Sequence, residues 1–324
     1  MDQLSIIRQP VADDLLRYKQ LFDQTLTHED DYLGKALAYI RMRKGKMMRP
    51  LLVLLVAKEL GDIRHESLCA AVTLELLHTA SLVHDDVVDE SGERRGQASV
   101  NSVFGNKVAV LVGDYLLSKS LHLAALTANI RCVDIVALLG GTLSEGEVFQ
   151  LANVRNEVST EEAYFRIIHN KTAELFAACA QLGAVSAGGD SDFVEHAKKF
   201  GEIVGMCFQI RDDIFDYYDD ANIGKPTGND MAEGKLTLPV IYALNHTEDP
   251  EIHALASSIK KGEASREDIH RMVEFTKKSG GIEYAQNVMM KFHKEAMEQL
   301  RVFKNEEIRC SLERYLDFVI GRDI

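Results

Sequence analysis

Two aspartate clusters of the same form, DDxxD, each directly follow an apolar run of the chain, at 74–84 and 203–211. The six acidic residues are Asp85, Asp86, Asp89, Asp212, Asp213 and Asp216. Residues four apart share one face of a helix, so the first and last aspartates of each cluster project together. Such a like-charge pair destabilises a bare helix by about 0.2–0.5 kcal/mol. Because carboxylate oxygens are preferred ligands of hard divalent cations, the pattern indicates magnesium sites carried on helices.

The apolar residues keep a helical spacing along the chain, which predicts an all-α fold. No strand-like alternation persists, and the chain contains five prolines and no tryptophan, while good helix formers are abundant. A helical bundle with both acidic clusters at one end of a central cavity is the economical arrangement. We predict that residues 1–324 form a single domain.

Three long helices and two loops organise this prediction. One helix is expected over 66–90 and carries the first aspartate cluster, and another over 192–216 carries the second. A third, over 107–128, is apolar nearly all round and is therefore predicted to be central and buried. Breaker residues follow each cluster, at 91–96 and 222–234. Each cluster is thus expected at the C-terminal end of a helix with a polar loop behind it.

A capping box is predicted farther along the chain. Residues 159–162 have the form S-x-x-E and are expected to open the helix that carries Lys171 and Thr172. Ser265 and Asp268, in an S-x-x-D spacing, punctuate a more polar C-terminal third. Asp230 is expected to be a loop residue outside the set of metal ligands.

The balance of charge and the cysteines limit the class of protein. A net charge of −13 argues against general nucleic-acid binding and against simple attraction to anionic lipid. The five cysteines are widely spaced and include no CxxC pair, which favours buried reduced thiols. No uninterrupted apolar run reaches 18 residues and no signal-peptide pattern is evident, so we expect a cytoplasmic protein without a membrane span.

Basic residues stand out in this acidic chain because they cluster in short motifs, several of them close to the aspartates. They are Lys46, Arg49, Arg94, Arg95, Lys171, Lys225 and Lys235. Arginine offers bidentate forks to phosphate and lysine offers point charges, so cations near metal-binding carboxylates suggest a polyphosphate ligand.

With these motifs in this order, residues 44–239 resemble the all-trans isoprenyl (polyprenyl) diphosphate synthase family. The resemblance implies the isoprenoid-synthase type of helical bundle around a central cavity. It implies a prenyltransferase that condenses isopentenyl diphosphate with an allylic diphosphate, farnesyl or geranyl diphosphate, by Mg²⁺-dependent ionisation, 1′-4 condensation and elimination. It also implies a homodimer in which central helices pack across the interface.

The resemblance assigns a role to each motif residue. All six aspartates would hold Mg²⁺, three ions per active site, with Mn²⁺ as a substitute. The residues matching the grip on the allylic diphosphate are Arg94, Lys171, Lys225 and Lys235. Those matching the metal-free pocket for isopentenyl diphosphate are Lys46, Arg49, His78 and Arg95. Thr172 and Gln209 match a polar pair beside the nascent carbocation, and Gln150 would support the helix that carries Lys171.

Product length is expected to depend on the helix wall upstream of Asp85. Ala80 and Ser81 are small where short-chain members of the family carry bulky aromatics, and Leu77 comes deeper on the same wall. The segment resembles medium- to long-chain synthases of the octaprenyl type, which make quinone side chains for membranes.

Several other interpretations remain open from the sequence. A geranylgeranyl- or farnesyl-type short-chain synthase, a class I terpene cyclase and a non-catalytic synthase subunit are the alternatives. The second DDxxD counts against a cyclase, whose second metal motif carries Asn, Ser and Glu at wider spacing. Residue by residue, His78 could be a core histidine, and Thr172 and Gln209 could be helix-packing residues. Calcium binding over 216–233 lacks the DxDxDG order of an EF-hand.

Overall fold

The computed structural model describes residues 2–42, 45–94, 96–154, 159–218 and 227–321. Within these ranges the prediction of an all-α fold is confirmed, with one two-stranded hairpin as the exception. The helices are α1 (Gln3–Arg8), α2 (Ala12–Thr25), α3 (Asp31–Arg41), α4 (Met48–Glu59), α5 (His65–Val88), α6 (Val100–Phe104), α7 (Asn106–Leu126), α8 (Ile130–Val154), α9 (Glu161–Ile168), α10 (Glu174–Ser186), α11 (Ser191–Phe215), α12 (Asn229–Ala232), α13 (Leu238–Asn245), α14 (Pro250–Lys260), α15 (Arg266–Lys278), α16 (Gly281–Gln299) and α17 (Glu306–Gly321). The strands β1 (Glu93–Arg94) and β2 (Gln97–Ala98) pair antiparallel, with Glu93 opposite Ala98.

The chain divides into two compact units. Unit 1 contains Met1–Gly140, Leu175–Gly201 and Leu300–Leu312, and unit 2 contains Gly141–Glu174, Glu202–Gln299 and Glu313–Ile324. The first aspartate cluster belongs to unit 1 and the second belongs to unit 2. The single domain and the shared cavity between the clusters therefore stay predictions.

Unit 1 is built around α5, which packs against α2, α4 and α7. Every residue of α4 from Pro50 to Ala57 is buried, as expected of a helix that is apolar on all sides. A reciprocal pair of hydrogen bonds joins α5 to α7: the Ser120 hydroxyl donates to the Thr73 carbonyl (3.0 Å), and the Thr73 hydroxyl donates to the Ser120 carbonyl (3.4 Å). These bonds satisfy two buried hydroxyls and fix the level at which the two helices cross.

Helix α7 forms close to its predicted bounds, but the prediction that it is buried all round is wrong. Leu111 is 67% exposed, Leu121 50% and Leu126 48%. An all-apolar sequence indicates that every side of a helix avoids water, and it does not say whether the protein's own chain covers each side. The face of α7 that carries these leucines is an apolar surface of unit 1.

Helices α5 and α7 are long and apolar enough, by length and composition alone, to cross a membrane, and no other such helix occurs in the described ranges. The core helix of a soluble protein passes the same test, and the apolar stretch of α5 is 67% buried. The expectation that the chain has no membrane span stays a prediction.

In unit 2 the chain from α9 onward departs from the predicted single helix. Thr160, not Ser159, is the N-cap, and its side chain accepts from the Ala163 N–H, so the box predicted at 159–162 does not form. The helix then widens into a π-helical turn over His169–Ala173, which contains Lys171 and Thr172. Such one-turn insertions are frequent at functional sites. Ser265 and Asp268, which mark a boundary in the sequence, form a capping box at the start of α15, with both reciprocal hydrogen bonds.

Candidate active site

The first aspartate cluster stands at the end of α5. Asp86 is fully buried, and its Oδ1 accepts from Arg94 Nε at 2.6 Å. Its Oδ2 is also buried and has no hydrogen-bond partner among the described residues. A buried carboxylate oxygen without a partner is costly, which marks this atom as the place for a ligand of opposite charge.

The turn behind the first cluster is held by a small polar network. Asp89 is the C-cap of α5, and Glu90 follows in the left-handed conformation (φ 51°). The Asn101 amide donates to the carbonyls of Asp86 (3.1 Å) and Ser91 (3.2 Å). The network fixes where the β1–β2 hairpin leaves the helix, and so where Arg94 meets Asp86.

The predicted isopentenyl diphosphate residues Lys46 and Arg49 lie on either side of the start of α4. Met47, between them, is left-handed (φ 51°), and the Arg8 guanidinium donates to the Lys46 carbonyl. Arg49 lies over the Phe176 ring, 5.1 Å from its centroid, and its buried Nε lacks a partner within the described ranges. His78 is half-buried on α5. Arg95, the fourth member of this set, lies outside the described residues.

The second cluster is arranged differently from the first. Asp213, near the end of α11, is 3% exposed, and both of its carboxylate oxygens accept hydrogen bonds. The Tyr164 hydroxyl donates to Oδ2 at 2.6 Å, and Gln209 Nε2 donates to Oδ1 at 2.8 Å. Burial raises the pKa of Asp213 well above its usual range and the charge of Asp230 adds to the rise, while the two hydrogen bonds oppose it.

Asp216 and Asp230 form the rest of the acidic group in unit 2. The Asp216 carboxylate accepts from the backbone N–H groups of Asn229 (2.9 Å) and Asp230 (3.0 Å), and so holds the first turn of α12. Burial raises the pKa of Asp216 despite these bonds. Burial, followed by the charge of Asp216, raises the pKa of Asp230 to about 7. Burial and the neighbouring carboxylates both disfavour the ionised form of these groups, and a bound cation would favour it.

A cavity of about 210 Å³ opens among these residues of unit 2. Its lining brings together the predicted residues Lys171, Thr172, Gln209, Asp213, Lys235 and Gln150. Lys171 forms an ion pair with Glu147, and Lys235 pairs with Glu233 (2.6 Å). Apolar walls come from residues such as Ile168 and Ile241. Lys225 lies outside the described residues.

Several polar residues of the same lining were not predicted as site residues, among them Tyr164, Asp230 and Lys260. Asp230 was expected to be an ordinary loop residue; it is half-buried and lines the cavity. Lys260, whose pKa is lowered by burial, donates to the Ser159 hydroxyl at 3.0 Å. No motif predicts these residues, because each comes from a different helix or turn of unit 2.

Residues 30–276 match the family model described as polyprenyl synthetase. The chain belongs to the polyprenyl synthetase family. The octaprenyl diphosphate synthase of Haemophilus influenzae is 35% identical, over 94% of this chain and 93% of that one. The octaprenyl diphosphate synthase of Escherichia coli is 31% identical over 99% of both chains.

Solved structures agree with this family over nearly the whole chain. A geranylgeranyl pyrophosphate synthase from Bacteroides thetaiotaomicron is 46% identical with a TM-score of 0.88, and covers 99% of this chain and 100% of its own. A decaprenyl diphosphate synthase from Rhodobacter capsulatus is 34% identical with a TM-score of 0.92, at the same coverage. The names of these relatives span a wide range of product lengths.

The acidic residues of this polyprenyl synthetase suit a divalent cation that arrives with its substrate. Among the residues that the structure describes, no three His, Cys, Asp or Glu side chains converge into a preformed metal site. Magnesium in phosphate-handling sites takes one or two protein carboxylates and completes its shell with phosphate oxygens and water. The Oδ2 of Asp86, which has no partner within the described ranges, and the raised pKa of Asp230 fit this mode of binding. The number and identity of the ions stay predictions.

Proposed function

We propose that this chain is an all-trans prenyltransferase that condenses isopentenyl diphosphate with an allylic diphosphate to make a medium- to long-chain polyprenyl diphosphate. Membership of the polyprenyl synthetase family supports the reaction class. The observation that carries the proposal is the cavity of unit 2, in which Lys171 and Lys235 accompany the hydroxyl of Thr172 and the acidic group of Asp213 and Asp230. The cavity combines cations for a diphosphate with apolar walls for a hydrocarbon.

The reaction begins with cleavage of the allylic C–O bond, which separates a carbocation from diphosphate. Bound Mg²⁺, for which the aspartates are the proposed ligands, would neutralise charge on the leaving diphosphate. Lys171 and Lys235 stabilise the same developing charge, and Arg94 is proposed to join them. Thr172 and Gln209 offer oxygen acceptors to the cation, while apolar walls exclude the water that would quench it. The C4 double bond of isopentenyl diphosphate then attacks, and the departing diphosphate removes the proton.

We assign isopentenyl diphosphate to Lys46, Arg49 and His78, with Arg95 as the fourth member. The Nε of Arg49 is buried and has no partner among the described residues, which supports this assignment because a phosphate oxygen would satisfy it. The left-handed Met47 and the bond from Arg8 hold Lys46 and Arg49 at a fixed spacing. This pocket requires no metal.

The direct test incubates the purified protein with Mg²⁺, isopentenyl diphosphate and either farnesyl or geranyl diphosphate, and sizes the products by chromatography. We expect a product of the octaprenyl type, suited to a quinone side chain and to delivery to a membrane. A product that stops at twenty carbons, as expected of a geranylgeranyl synthase, would overturn the proposed product length. No condensation with metal present would overturn the reaction class.

A homodimer is proposed from the exposed apolar face of unit 1. Besides the leucines of α7, Ile130 is 80% exposed and Leu138 64% exposed on α8. Exposed apolar surface often marks a protein–protein interface. We propose that a second copy of the chain packs against this face.

A cytoplasmic location is proposed from the thiols. All five cysteines lie in the described ranges and are free, and only Cys310 is not fully buried. Burial raises the pKa of Cys69 to about 11 and that of Cys207 to about 12, so both stay unreactive thiols. Persistent free thiols are typical of a reducing compartment.

A further inference from the structure

Four side chains of unit 2 form one continuous hydrogen-bonded series. The Tyr164 hydroxyl donates to Asp213 Oδ2 (2.6 Å), and Gln209 Nε2 donates to Asp213 Oδ1 (2.8 Å). The Thr172 hydroxyl then donates to Gln209 Oε1 (2.8 Å). The series joins α9 to the end of α11 and to the π-helical turn.

The donor and acceptor groups of these four side chains fix which atom donates in each hydrogen bond of the series. In its ionised form, which bound cations favour, Asp213 only accepts, so it requires the NH₂ side of the Gln209 amide and leaves the amide oxygen facing Thr172. The single hydrogen of the Thr172 hydroxyl is then committed to that oxygen. What Thr172 presents to the cavity is lone-pair density, with no hydrogen to donate.

Packing holds the series in register. Tyr164 is 5% exposed and Asp213 is 3% exposed, so water does not compete for their bond. Gly205 lets α11 approach the π-helical turn closely: a Cβ at this position would lie 2.5 Å from Ala173 Cα. Because Gln209 lies one helical turn beyond Gly205, this close approach brings its amide within reach of Thr172.

We propose that Tyr164 is a positioning residue for the condensation. Acting through Asp213 and Gln209, it orients the Thr172 hydroxyl as a pure acceptor toward the allylic carbon, where positive charge develops. Preorganised dipoles of this kind stabilise a transition state because they need no reorientation during the reaction. The inference rests on the proposed prenyltransferase activity and adds to it a residue that does not touch the reacting atoms.

The test is a double-mutant cycle on the single-turnover condensation rate at saturating substrates and Mg²⁺. The variants are Tyr164→Phe, Thr172→Val and the two combined. We expect Tyr164→Phe to slow the reaction about tenfold, the size expected for loss of one hydrogen bond to a charged group. In the Thr172→Val background the same change should have almost no further effect, because the hydroxyl that it orients is gone.

Tyr217→Phe is the matched control. Tyr217 is an equally buried tyrosine whose hydroxyl lies 3.5 Å from Thr237 and outside the series. It should leave the rate unchanged, and KM for both diphosphates should stay within about twofold in Tyr164→Phe, since positioning acts on the chemical step.

Three results would overturn the inference: a normal rate in Tyr164→Phe, fully additive losses in the combined variant, or a loss confined to KM and thermal stability. If Tyr164→Phe does not fold, Gln209→Met breaks the series at the next link, and the same cycle with Thr172→Val applies. A wild-type protein that condenses nothing would instead overturn the proposed function, so the two failures are distinct.

Discussion

Ala80 is a single small side chain on which the proposed product length depends. It is fully buried on α5, and Leu77, one turn earlier, is 4% exposed. Phenylalanine at this position adds a ring to the wall that lies upstream of Asp85. We expect Ala80→Phe to shorten the products, as measured by chromatography of radiolabelled material.

A control for the added ring is Leu16→Phe, on α2, because Leu16 is 62% exposed. It should leave the product distribution unchanged. Unchanged products from Ala80→Phe in an active enzyme would show that the tunnel wall lies elsewhere.

Asp230 should make the stability of the metal-free protein depend on pH. Its pKa is about 7 in the folded protein against an ordinary 3.8, so the folded state binds the proton more tightly. Between these values the unfolded chain ionises first, and the free energy of unfolding therefore falls as pH rises from about 4 to about 7. We expect a decrease on the order of 2 kcal/mol between pH 5 and pH 7, measured by urea unfolding.

The variant Asp230→Asn should weaken this pH dependence, and the raised pKa values of Asp213 and Asp216 should account for what remains. Addition of Mg²⁺ with inorganic diphosphate should flatten it in the wild type, since bound cations lower carboxylate pKa values. A steeper slope in Asp230→Asn would contradict the assignment of the proton to this residue.

At the residue scale, sequence motifs predicted several residues that line the cavity but not the residues that support them. Lys171, Thr172, Gln209, Asp213 and Lys235 were all predicted and all line one cavity. Tyr164 was missed because its bond to Asp213 spans 49 residues of chain. In the sequence, a tyrosine of an amphipathic helix that orients a site residue looks the same as a tyrosine that only packs in the core.

The close crossing of α11 with the π-helical turn gives a prediction at the level of secondary-structure elements. In Gly205→Ala the new Cβ would lie 2.5 Å from backbone, at Ala173 Cα, so one segment must move. We expect a loss of about 1–3 kcal/mol in unfolding free energy. The condensation rate should also fall, because the movement separates Gln209 from Thr172.

Gly140→Ala is the comparison, since Gly140 is also helical but a Cβ there meets no atom of the described residues within 4 Å. It should stabilise the protein by up to about 1 kcal/mol, because alanine is the better helix former. Equal stability of the two variants would argue against a tight crossing at Gly205.

Helix positions were predicted well where the apolar periodicity is strong. They were predicted poorly where the backbone hydrogen bonding changes from the α-helical to the π-helical pattern. Helix α5 ends within two residues of its predicted limit. The π-helical turn at His169–Ala173 could not be foreseen, since a π-bulge has no composition of its own. The exposed side of α7 was missed because apolar composition does not reveal which molecule covers it.

At the scale of the whole molecule, the apolar face of α7 predicts the oligomeric state. Leu111→Glu with Leu121→Glu places two charges on side chains that are half or more exposed. If a second copy covers this face, burying those charges is unfavourable, and sedimentation should show a shift from dimer to monomer. Leu16→Glu, an exposed change on α2, should leave the mass unchanged.

A wild-type protein that is monomeric at micromolar concentration would overturn the homodimer.

The fold class and family could be predicted because helical periodicity and repeated motifs extend along the chain. The arrangement of the units could not, since no short motif reports contacts between distant parts of a sequence.

Two of the left-handed residues, Met47 and Glu90, adjoin the residues proposed to bind diphosphates. Glycine would relieve about 1 kcal/mol of backbone strain at each position. Glycine would also let the backbone visit many more conformations, in the unfolded chain and in the loop before a substrate arrives. A residue with a Cβ allows fewer backbone conformations than glycine does. Met47 and Glu90 therefore restrict the orientations of their neighbours Lys46 and Asp89 before a substrate binds.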